Sequence, residues 1–393
     1  MGTTADAVII GGGVMGLCVA LGLGEQGVRR VVLLEKRCIG AGSSGKSGAI
    51  LRQHYSHETT IRMSRESLQF YASFQDTYGR DIGFRNTPML FVCQERDRVA
   101  LEANVSLQRG FGVDTTIIDA AGLRELEPRA VFDDDALAAF EPEAGFVDPA
   151  RTLDALMNLC RQRGVEVRER VRVEDVIVDG DRVTGVRTGD GESIDSAVVI
   201  NAGGPWAGLL CRRMGLDLPL KVIRPEQAYF VPPVDYGGER FIFGDLGTGL
   251  YWKPEPAGWT RVGKLSYEGD RDVPDPDNYD EGVSSEFIDF CRTQLARRVP
   301  AYEAAISWGG CGALYTVTPD AHALIGEVPG IRGFFVVSGF SGHGFKMGPA
   351  VGSGVAALVT GGQTGAFDPG FFAVDRFEKG KPITAAYKYG ILG

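Results

Sequence analysis

The feature that most constrains the fold is a glycine-rich turn between two short apolar runs near the start of the sequence. Residues 6–10 (DAVII) predict a buried strand, and GGGVMG (11–16) follows with the spacing G-x-G-x-x-G. Residues 14–26 predict a helix, and VRRVVLLEK (28–36) predicts a second buried strand. These segments predict a βαβ unit whose helix N-terminus can hold a pyrophosphate, which is typical of a dinucleotide-binding fold.

The glycines and one acidic residue fit this interpretation. Gly11 permits the tight turn, Gly13 lets the backbone approach a pyrophosphate, and Gly16 lets the helix pack closely on the strand. Glu35 ends the second strand, where an acidic side chain binds ribose hydroxyls. The alternative is a glycine-rich core turn with Glu35 as a surface charge. Because an acidic group disfavours a 2′-phosphate, the pattern argues against NADP, whereas FAD and NAD both fit.

Composition narrows the classes of partner. The chain has 393 residues, of which 44% are apolar and 23% charged, as in a soluble globular protein of two or three folding units. The net charge of −10 makes nucleic acids and anionic membranes poor partners. Seven cysteines without a C-x-x-C pair and four histidines predict neither a disulfide framework nor a metal site. Free thiols favour a reducing compartment, and we expect a cytoplasmic protein.

One stretch has the length of a short membrane span. Residues 7–24 are uncharged, but six of them are glycine, and the first Lys or Arg is Arg29, so the basic segment of a signal peptide is missing. The strand–turn–helix interpretation explains the same residues better. We therefore expect no membrane insertion.

Three further segments carry a family resemblance. They are GAGSSGKSGAILRQHY (40–55), LYTVTPDAHALIG (314–326) and GFSGHGFKMGPAVG (339–352), of which the last is the most specific. With the N-terminal glycine pattern, they resemble FAD-dependent oxidoreductases of the D-amino-acid oxidase and glycine oxidase superfamily, closest to the sarcosine oxidase branch. The resemblance covers essentially the whole chain. It implies bound FAD, a two-domain fold and oxidation of an amine next to a carboxylate.

The alternation of α/β blocks with strand-rich blocks predicts two interwoven domains. The predicted fold class is α/β, with a Rossmann-like FAD-binding domain and a smaller antiparallel-sheet substrate domain of α+β type. We assign residues 1–85, 146–215 and 309–393 to the FAD-binding domain, and residues 86–145 and 216–308 to the substrate domain.

The residues around FAD follow from their chemistry and from the resemblance. The loop at 40–48 offers backbone N–H groups beside a flat ring, although a flexible linker has the same composition. The turn FSGHGFK opens a helix whose N-terminus, with Lys346, can stabilise the negative charge of a reduced flavin; a surface lysine is the alternative. The resemblance alone makes Val171 a backbone contact to adenine, and it leaves His343 open between a flavin contact and a turn residue. The predicted cofactor-binding residues are Gly11, Gly13, Val14, Met15, Gly16, Glu35, Lys36, Gly42, Ser43, Ser44, Gly48, Ala49, Val171, Ala202, Gly203, Trp206, Gly312, Gly342, His343, Gly344, Phe345 and Lys346.

The resemblance also bears on how FAD is attached. Monomeric sarcosine oxidases link the flavin to a cysteine two residues before the tyrosine of a C-x-Y-T-x-T pattern, and Ala313 stands at that position. Cys311 lies two residues further upstream, and the histidine that links flavin in related dehydrogenase subunits has no counterpart in the 40–48 loop. We therefore expect non-covalent FAD and no metal.

The resemblance assigns Arg52, in ILRQHY, to the substrate carboxylate, and a planar guanidinium suits that contact. An arginine that bridges to Glu58 is the alternative. Ala49 and Gly45 replace a basic residue and a histidine of the family pattern, so the amine pocket differs from that for sarcosine.

The family places a lysine over flavin N5 to promote reaction with O2. Strict alignment of TRVGKLSY (260–267) puts Arg261 there, whereas Lys264 needs a shifted register, and the choice stays open. Without either cation, dehydrogenase behaviour becomes plausible. Tyr251 and Tyr315 fall where the family has pocket aromatics, with core packing as the alternative.

The resulting hypothesis is FAD-dependent oxidation of the C–N bond of an amino acid that carries an N-alkyl or cyclic secondary amine. Hydride passes to flavin N5, the imine hydrolyses, and O2 or another acceptor reoxidises the flavin. The alternatives are a flavin subunit of a multi-subunit amine dehydrogenase, a flavoprotein without turnover, and an NAD-dependent dehydrogenase.

Overall fold

The structure is a computed structural model that describes residues 3–233, 240–266 and 269–384. The uncharged stretch 7–24 forms a strand, the glycine turn and a helix, as the sequence predicts. No helix within the described ranges combines the length and the apolar character needed to cross a membrane.

The α-helices of the described residues are α1 (Val14–Glu25), α2 (Glu58–Ala72), α3 (Phe74–Tyr78), α4 (Arg98–Gly110), α5 (Ala120–Leu126), α6 (Pro149–Gln162), α7 (Ala207–Arg213), α8 (Ser285–Arg298) and α9 (Gly344–Thr360). Short 3-10 helices cover Ser43–Lys46, Glu95–Asp97, Gly204–Trp206 and Pro300–Ala304.

The strands are β1 (Thr3–Thr4), β2 (Ala7–Ile10), β3 (Val31–Glu35), β4 (Ile50–Leu51), β5 (Arg85–Asn86), β6 (Met89–Gln94), β7 (Thr116–Asp119), β8 (Ala136–Glu141), β9 (Gly145–Phe146), β10 (Glu166–Glu169), β11 (Val173–Asp179), β12 (Arg182–Thr188), β13 (Ser193–Asp195), β14 (Val199–Asn201), β15 (Lys221–Arg224), β16 (Glu226–Val231), β17 (Ile242–Asp245), β18 (Leu250–Pro254), β19 (Thr260–Lys264), β20 (Arg271–Asp272), β21 (Ile306–Gly312), β22 (Tyr315–Val317), β23 (Leu324–Glu327) and β24 (Phe334–Ser338).

A parallel sheet forms the first of two main layers. Its order is β10-β3-β2-β14-β24-β23, and only the edge strand β23 runs antiparallel to its neighbour. Helices α1, α6 and α9 pack together on one face. The antiparallel strands β11, β12 and β13 and helix α7 cover the other face. Strands buried on both faces explain the continuous apolar runs that the sequence shows here.

Helices α1 and α9 approach closely because small residues meet where they cross. A Cβ atom on Gly22 would lie 2.7 Å from the carbonyl oxygen of Gly352, and a Cβ atom on Gly352 would lie 2.4 Å from the backbone of Cys18. This contact joins the first βαβ unit to a helix more than 300 residues later in the chain.

A long mixed sheet forms the second layer, in the order β21-β16-β19-β18-β17-β6-β8-β7. It combines strands from two separate stretches of chain, and all its pairs are antiparallel except β17 with β6. Helix α8 packs on one face through Phe287 and Leu295. Together with the parallel sheet, this layer confirms the predicted α/β fold class with an antiparallel-type second sheet.

Local details differ from the sequence predictions. The amphipathic pattern of residues 57–78 predicts one helix, but the helix is interrupted at Ser73. The run VEVRERVRVEDVIVDG (165–180) predicts one strand, but it divides at Arg170, whose φ of +63° sends β10 and β11 into different sheets. Pro254 predicts a turn, but this residue ends β18. Strand β21 (Ile306–Gly312) spans the proposed boundary at residue 308, and the division into domains stays a prediction.

Candidate active site

The predicted glycine turn has the geometry that its sequence demands. Gly11 has φ of +109°, and a Cβ atom there would lie 2.5 Å from the carbonyl oxygen of Ala202. A Cβ atom on Gly16 would lie 1.9 Å from the carbonyl oxygen of Gly11. Gly13 is the N-cap of α1, whose first N–H groups have no partner within the helix. The turn is therefore a cradle of backbone donors that any side chain would fill.

Glu35 closes this turn from the end of β3. Its carboxylate accepts hydrogen bonds from the Gly12 amide (2.7 Å) and the Arg37 amide (2.8 Å). Its carbonyl oxygen accepts a hydrogen bond from the Val171 amide (2.9 Å). Because that bond uses the Val171 N–H, a backbone contact from Val171 to a bound adenine would come from its carbonyl.

A cavity extends along the carboxyl ends of β2, β3, β14 and β24. This is where open α/β sheets bind their ligands. Tyr315 lines the cavity close to the N-terminus of α9. Gln227 and Lys46 also line the cavity, although the sequence did not predict them as site residues. The predicted cofactor residues among its lining are Gly11, Gly13, Val14, Met15, Glu35, Lys36, Gly42, Ser43, Ser44, Val171, Ala202, Gly203, Trp206, Gly342, Gly344 and Phe345.

The other predicted cofactor residues do not line the cavity. Ala49 is buried with φ of +46°, and His343 is the N-cap residue of α9. The backbone carbonyl of Asp280 covers Gly312, because a Cβ atom on that glycine would lie 2.7 Å from the Asp280 oxygen. The cofactor predictions that lie outside the lining are Gly16, Gly48, Ala49, Gly312, His343 and Lys346.

A buried group of charged side chains lies next to the N-terminus of α9. Lys346 is in the first turn of α9, Arg52 follows β4, and Glu141 ends β8; their exposed fractions are 9%, 5% and 2%. Burial and the charge of Arg52 hold the pKa of Lys346 well below its ordinary value, and Glu141 acts in the opposite direction. The structure therefore brings Arg52, predicted to bind the substrate carboxylate, and Lys346, predicted to stabilise the charge of reduced flavin, into one electrostatic group.

Sequence reasoning missed Glu141. Its carboxylate accepts a hydrogen bond from the Gln53 amide (2.8 Å). Burial raises the pKa of Glu141 to about 7, although the Gln53 amide and the charge of Arg52 act to lower it. The signal in the sequence is an acidic residue at the end of an otherwise apolar strand, ALAAFE.

Aromatic rings connect Arg52 with the turn before α9. The Arg52 guanidinium lies 4.4 Å from the centre of the Tyr55 ring and donates a hydrogen bond to the His54 carbonyl. The Tyr55 ring meets the His343 ring edge to face at 5.7 Å. Glu58, the alternative partner considered for Arg52, pairs with Arg62 instead (3.2 Å).

The two cations considered for the position over N5 lie on opposite faces of β19. We call residues 40–48 the glycine-serine loop. A Cβ atom on Gly48 would lie 3.4 Å from Cδ of Arg261, so Arg261 packs against this loop. The Lys264 ammonium lies 5.7 Å from the Phe290 ring centre, on the face covered by α8. Of the two, Arg261 is the one next to the loop that precedes Arg52.

Lys253 shares the face of Arg261 and was also missed. It lies opposite Arg261 in the β18–β19 pair and is 2% exposed. Its Nζ is 3.0 Å from Oε2 of Glu255 and 3.7 Å from the Phe146 ring centre. Burial lowers the pKa of Lys253 to about 8, with Arg261 acting in the same direction and Glu255 against it. Antiparallel pairing of LYWKP with TRVGK is the signal that would have found this residue.

Tyr251 and Tyr315 form a hydrogen-bonded pair. Tyr315 lines the cavity, and its ring lies 2.8 Å from where a Cβ atom on Gly342 would stand. Burial raises the pKa of each hydroxyl, so both stay protonated and able to donate at neutral pH. The pair fits the wall of a small-molecule site.

The cavity fits a flavin dinucleotide. Helix α1 presents its N-terminus at the glycine turn, and the Glu35 carboxylate lies where it could accept hydrogen bonds from ribose hydroxyls. A second helix, α9, follows β24 of the same sheet and packs on the same face as α1, and its residues Gly344 and Phe345 line the cavity. Two helix N-termini on one cavity suit an anionic pyrophosphate and an electron-rich ring system.

The comparison with protein families decides the class. The model of the FAD dependent oxidoreductase (DAO) family matches residues 6–358. The chain belongs to this family. Its cofactor is therefore FAD, and the predicted class, an FAD-dependent oxidoreductase of the DAO family, is confirmed.

Similar proteins support the same assignment. The chain is 28% identical over 390 residues to 4-methylaminobutanoate oxidase (formaldehyde-forming) of Paenarthrobacter nicotinovorans, covering 95% of this chain and 46% of the relative. It is 28% identical over 388 residues to human peroxisomal sarcosine oxidase, covering 95% and 96%. The crystal structure of L-proline dehydrogenase from P. horikoshii superposes with a TM-score of 0.88 at 26% identity, over 98% of this chain and 100% of that one.

The match in length differs between these relatives. The chain spans about half the length of the 4-methylaminobutanoate oxidase but nearly all of the sarcosine oxidase. One relative is named as peroxisomal, so the cytoplasmic location stays a prediction.

Proposed function

We propose that the protein oxidises the C–N bond of an amino acid whose nitrogen is a secondary amine, either N-alkyl or cyclic. The observation that carries this proposal is the burial of Arg52 and Lys346 beside the N-terminus of α9. Two buried cations at a helix N-terminus suit a carboxylate, because an unpaired buried anion is strongly disfavoured.

The charge state of Lys346 fits such a ligand. Burial and the charge of Arg52 lower its pKa in the structure. A substrate carboxylate placed between the two side chains would offset their repulsion and raise that pKa again. Binding of an anionic substrate is therefore expected to take up protons at the pH where Lys346 is partly neutral.

The choice of a secondary amine rests on the relatives. Their names specify 4-methylaminobutanoate, sarcosine and L-proline, each of which has a carboxylate and a secondary amine. Ala49 and Gly45 stand where the family resemblance has larger polar residues, but neither of them lines the cavity, so they do not set the size of the amine substituent.

Bound FAD would accept a hydride from the carbon next to nitrogen, and water would then hydrolyse the imine. The protein's own residues bind and orient the substrate. Arg52 and Lys346 hold its carboxylate, and Glu141 balances the charge of the two cations. Tyr315, hydrogen-bonded to Tyr251, forms the wall of the cavity.

The proposal for the electron acceptor is based on the cations beside the glycine-serine loop. Arg261 and Lys253 share Glu255 as a partner, at 2.5 Å and 3.0 Å. A positive charge near the flavin favours reaction of the reduced ring with O2, because superoxide is an anion. We propose O2 as the acceptor, with a flavin subunit that passes electrons to a protein partner as the second possibility.

The experiment is an anaerobic screen of the purified holoenzyme against N-methyl amino acids, cyclic amino acids and their primary-amine counterparts. We expect loss of flavin absorbance with one of the secondary amines and rapid recovery when air is admitted. Slow recovery would favour the dehydrogenase subunit over the oxidase. Absence of bleaching by every amino acid in the panel would overturn the proposal.

A further inference from the structure

An acidic segment lies across the rim of the FAD cavity. We call residues 273–282 (VPDPDNYDEG) the acidic strap; it connects β20 to the loop before α8 and contains three aspartates and one glutamate but no Lys or Arg. None of its residues lines the cavity. Its side chains instead bind cations that do.

The first contact of the strap is Asp277. Its carboxylate accepts hydrogen bonds from the Lys36 ammonium, from Nη2 of Arg172 (2.6 Å) and from Nε1 of Trp206 (3.1 Å). The Lys36 ammonium also lies 3.6 Å from the centre of the Trp206 ring. Lys36, Arg172 and Trp206 all line the cavity and come from three separate parts of the chain.

The second contact lies four residues further along the strap. The Lys46 ammonium donates to the Tyr279 hydroxyl (2.6 Å) and to Oε2 of Glu281 (2.8 Å). Lys46 belongs to the glycine-serine loop and also lines the cavity. The backbone of the strap is fixed at this second point, because the Gly312 amide donates to the Glu281 carbonyl (2.9 Å).

The neighbouring cations favour the ionised form of the Asp277 carboxylate. Burial alone would raise the pKa of Asp277, but the hydrogen bond and charge of Lys36 and the charge of Arg172 hold it below its ordinary value. The Asp277 side chain is 41% exposed and the Glu281 side chain 57%. Pairs at this exposure respond to salt, because ions screen charges that face solvent.

We propose that the acidic strap is a latch that retains bound FAD, with Asp277 and Glu281 as its two anchoring groups. The strap joins Lys46 at one point with Lys36, Arg172 and Trp206 at another, and all four line the cavity, so in this proposal FAD leaves only when these contacts open. The proposal rests on FAD as the cofactor but needs neither a substrate nor turnover. Its failure would therefore leave the proposed reaction untouched.

The strap has one competing role. Asp277 could occupy cations that bound FAD needs for its own phosphates, in which case the strap would oppose the cofactor. The two roles predict opposite effects on the rate of FAD release. A latch slows FAD release, whereas a competitor accelerates it.

The test measures the rate at which holoenzyme releases FAD on dilution, followed by the increase in flavin fluorescence. We expect Asp277→Asn and Glu281→Gln each to accelerate release by about three- to tenfold, as for the loss of one or two part-exposed ion pairs. Asp289→Asn, an equal charge change on the exposed side of α8, is the matched control and should release FAD at the wild-type rate.

Salt and a double-mutant cycle separate a latch from a structural effect. Raising NaCl from 0.05 to 0.5 M, about a threefold shortening of the screening length, should accelerate release from wild type more than from the Asp277→Asn, Glu281→Gln double variant. Lys36→Met combined with Asp277→Asn should be less than additive, because both remove the same contact. Wild-type release rates in both strap variants, or slower release from Asp277→Asn, would overturn the proposal.

Discussion

The role of Arg52 gives the sharpest prediction about substrate binding. Arg52→Met keeps the apolar stem of the side chain and removes the guanidinium, which is 5% exposed in the structure. A substrate carboxylate would then retain Lys346 alone. Since Arg52 is itself one cause of the lowered pKa of Lys346, its removal raises that pKa and restores part of the lost charge.

The magnitude follows from this partial compensation. Loss of a charged hydrogen-bonding partner costs about 2–3 kcal/mol, which is roughly 30- to 150-fold in kcat/KM. Arg52→Lys should recover only part of the loss, because an ammonium cannot make a two-pronged contact with a carboxylate. The amine that lacks the carboxylate should lose far less in either variant.

The assay is kcat/KM for one amino acid and its decarboxylated analogue, measured with wild type, both variants and Arg62→Met as a control. Arg62 is exposed on α2 and pairs with Glu58, so its loss should leave both substrates unaffected. FAD content should equal that of wild type in all four proteins. Equal losses for the two substrates in Arg52→Met would show that Arg52 is structural and that the carboxylate lies elsewhere.

Four other results are expected. Gly11→Ala should abolish FAD retention, measured as the flavin-to-protein absorbance ratio, because the new Cβ atom would lie 2.5 Å from the Ala202 carbonyl. Acid precipitation should release intact FAD into the supernatant; flavin that stays with the precipitate would contradict non-covalent attachment. Burial lowers the pKa of His54 to about 3. Below pH 6.5 the unfolded chain therefore binds a proton at this position that the folded chain does not. The free energy of unfolding should fall by about 4 kcal/mol between pH 6.5 and 3 from this residue, with a shallower fall in His54→Gln by urea titration. Finally, Lys253→Met should slow reoxidation of reduced flavin by O2 in stopped flow, whereas Lys264→Met should not; the reverse order would place Lys264 near the flavin.

Local sequence signals predict the two helix N-termini that border the cavity. The turn at Gly11 and the start of α9 each depend on glycines within a few residues of one another, so their spacing carries the structural information. The two helix N-termini then meet because parallel strands bring their carboxyl ends to one edge of a sheet. Glu35 follows from the same rule.

The substrate side could not be predicted in the same way. Glu141 lies near Arg52 only because the fold brings β8 and β4 together. These strands belong to different sheets and are far apart in the sequence. Lys253 joins Arg261 through strand register, which the alternation of apolar residues alone does not fix across a turn. The contacts of Asp277 lie in a polar loop without periodicity, and such a sequence does not predict which side chains the loop binds.

The central claim is that the protein oxidises the C–N bond of a secondary-amine amino acid with FAD. An anaerobic single turnover tests it most directly, with holoenzyme in excess over the substrate that bleaches the flavin best. The account predicts one mole of imine, or of the carbonyl compound from its hydrolysis, for each mole of FAD reduced. Flavin reduction without a matching imine or carbonyl product would contradict it.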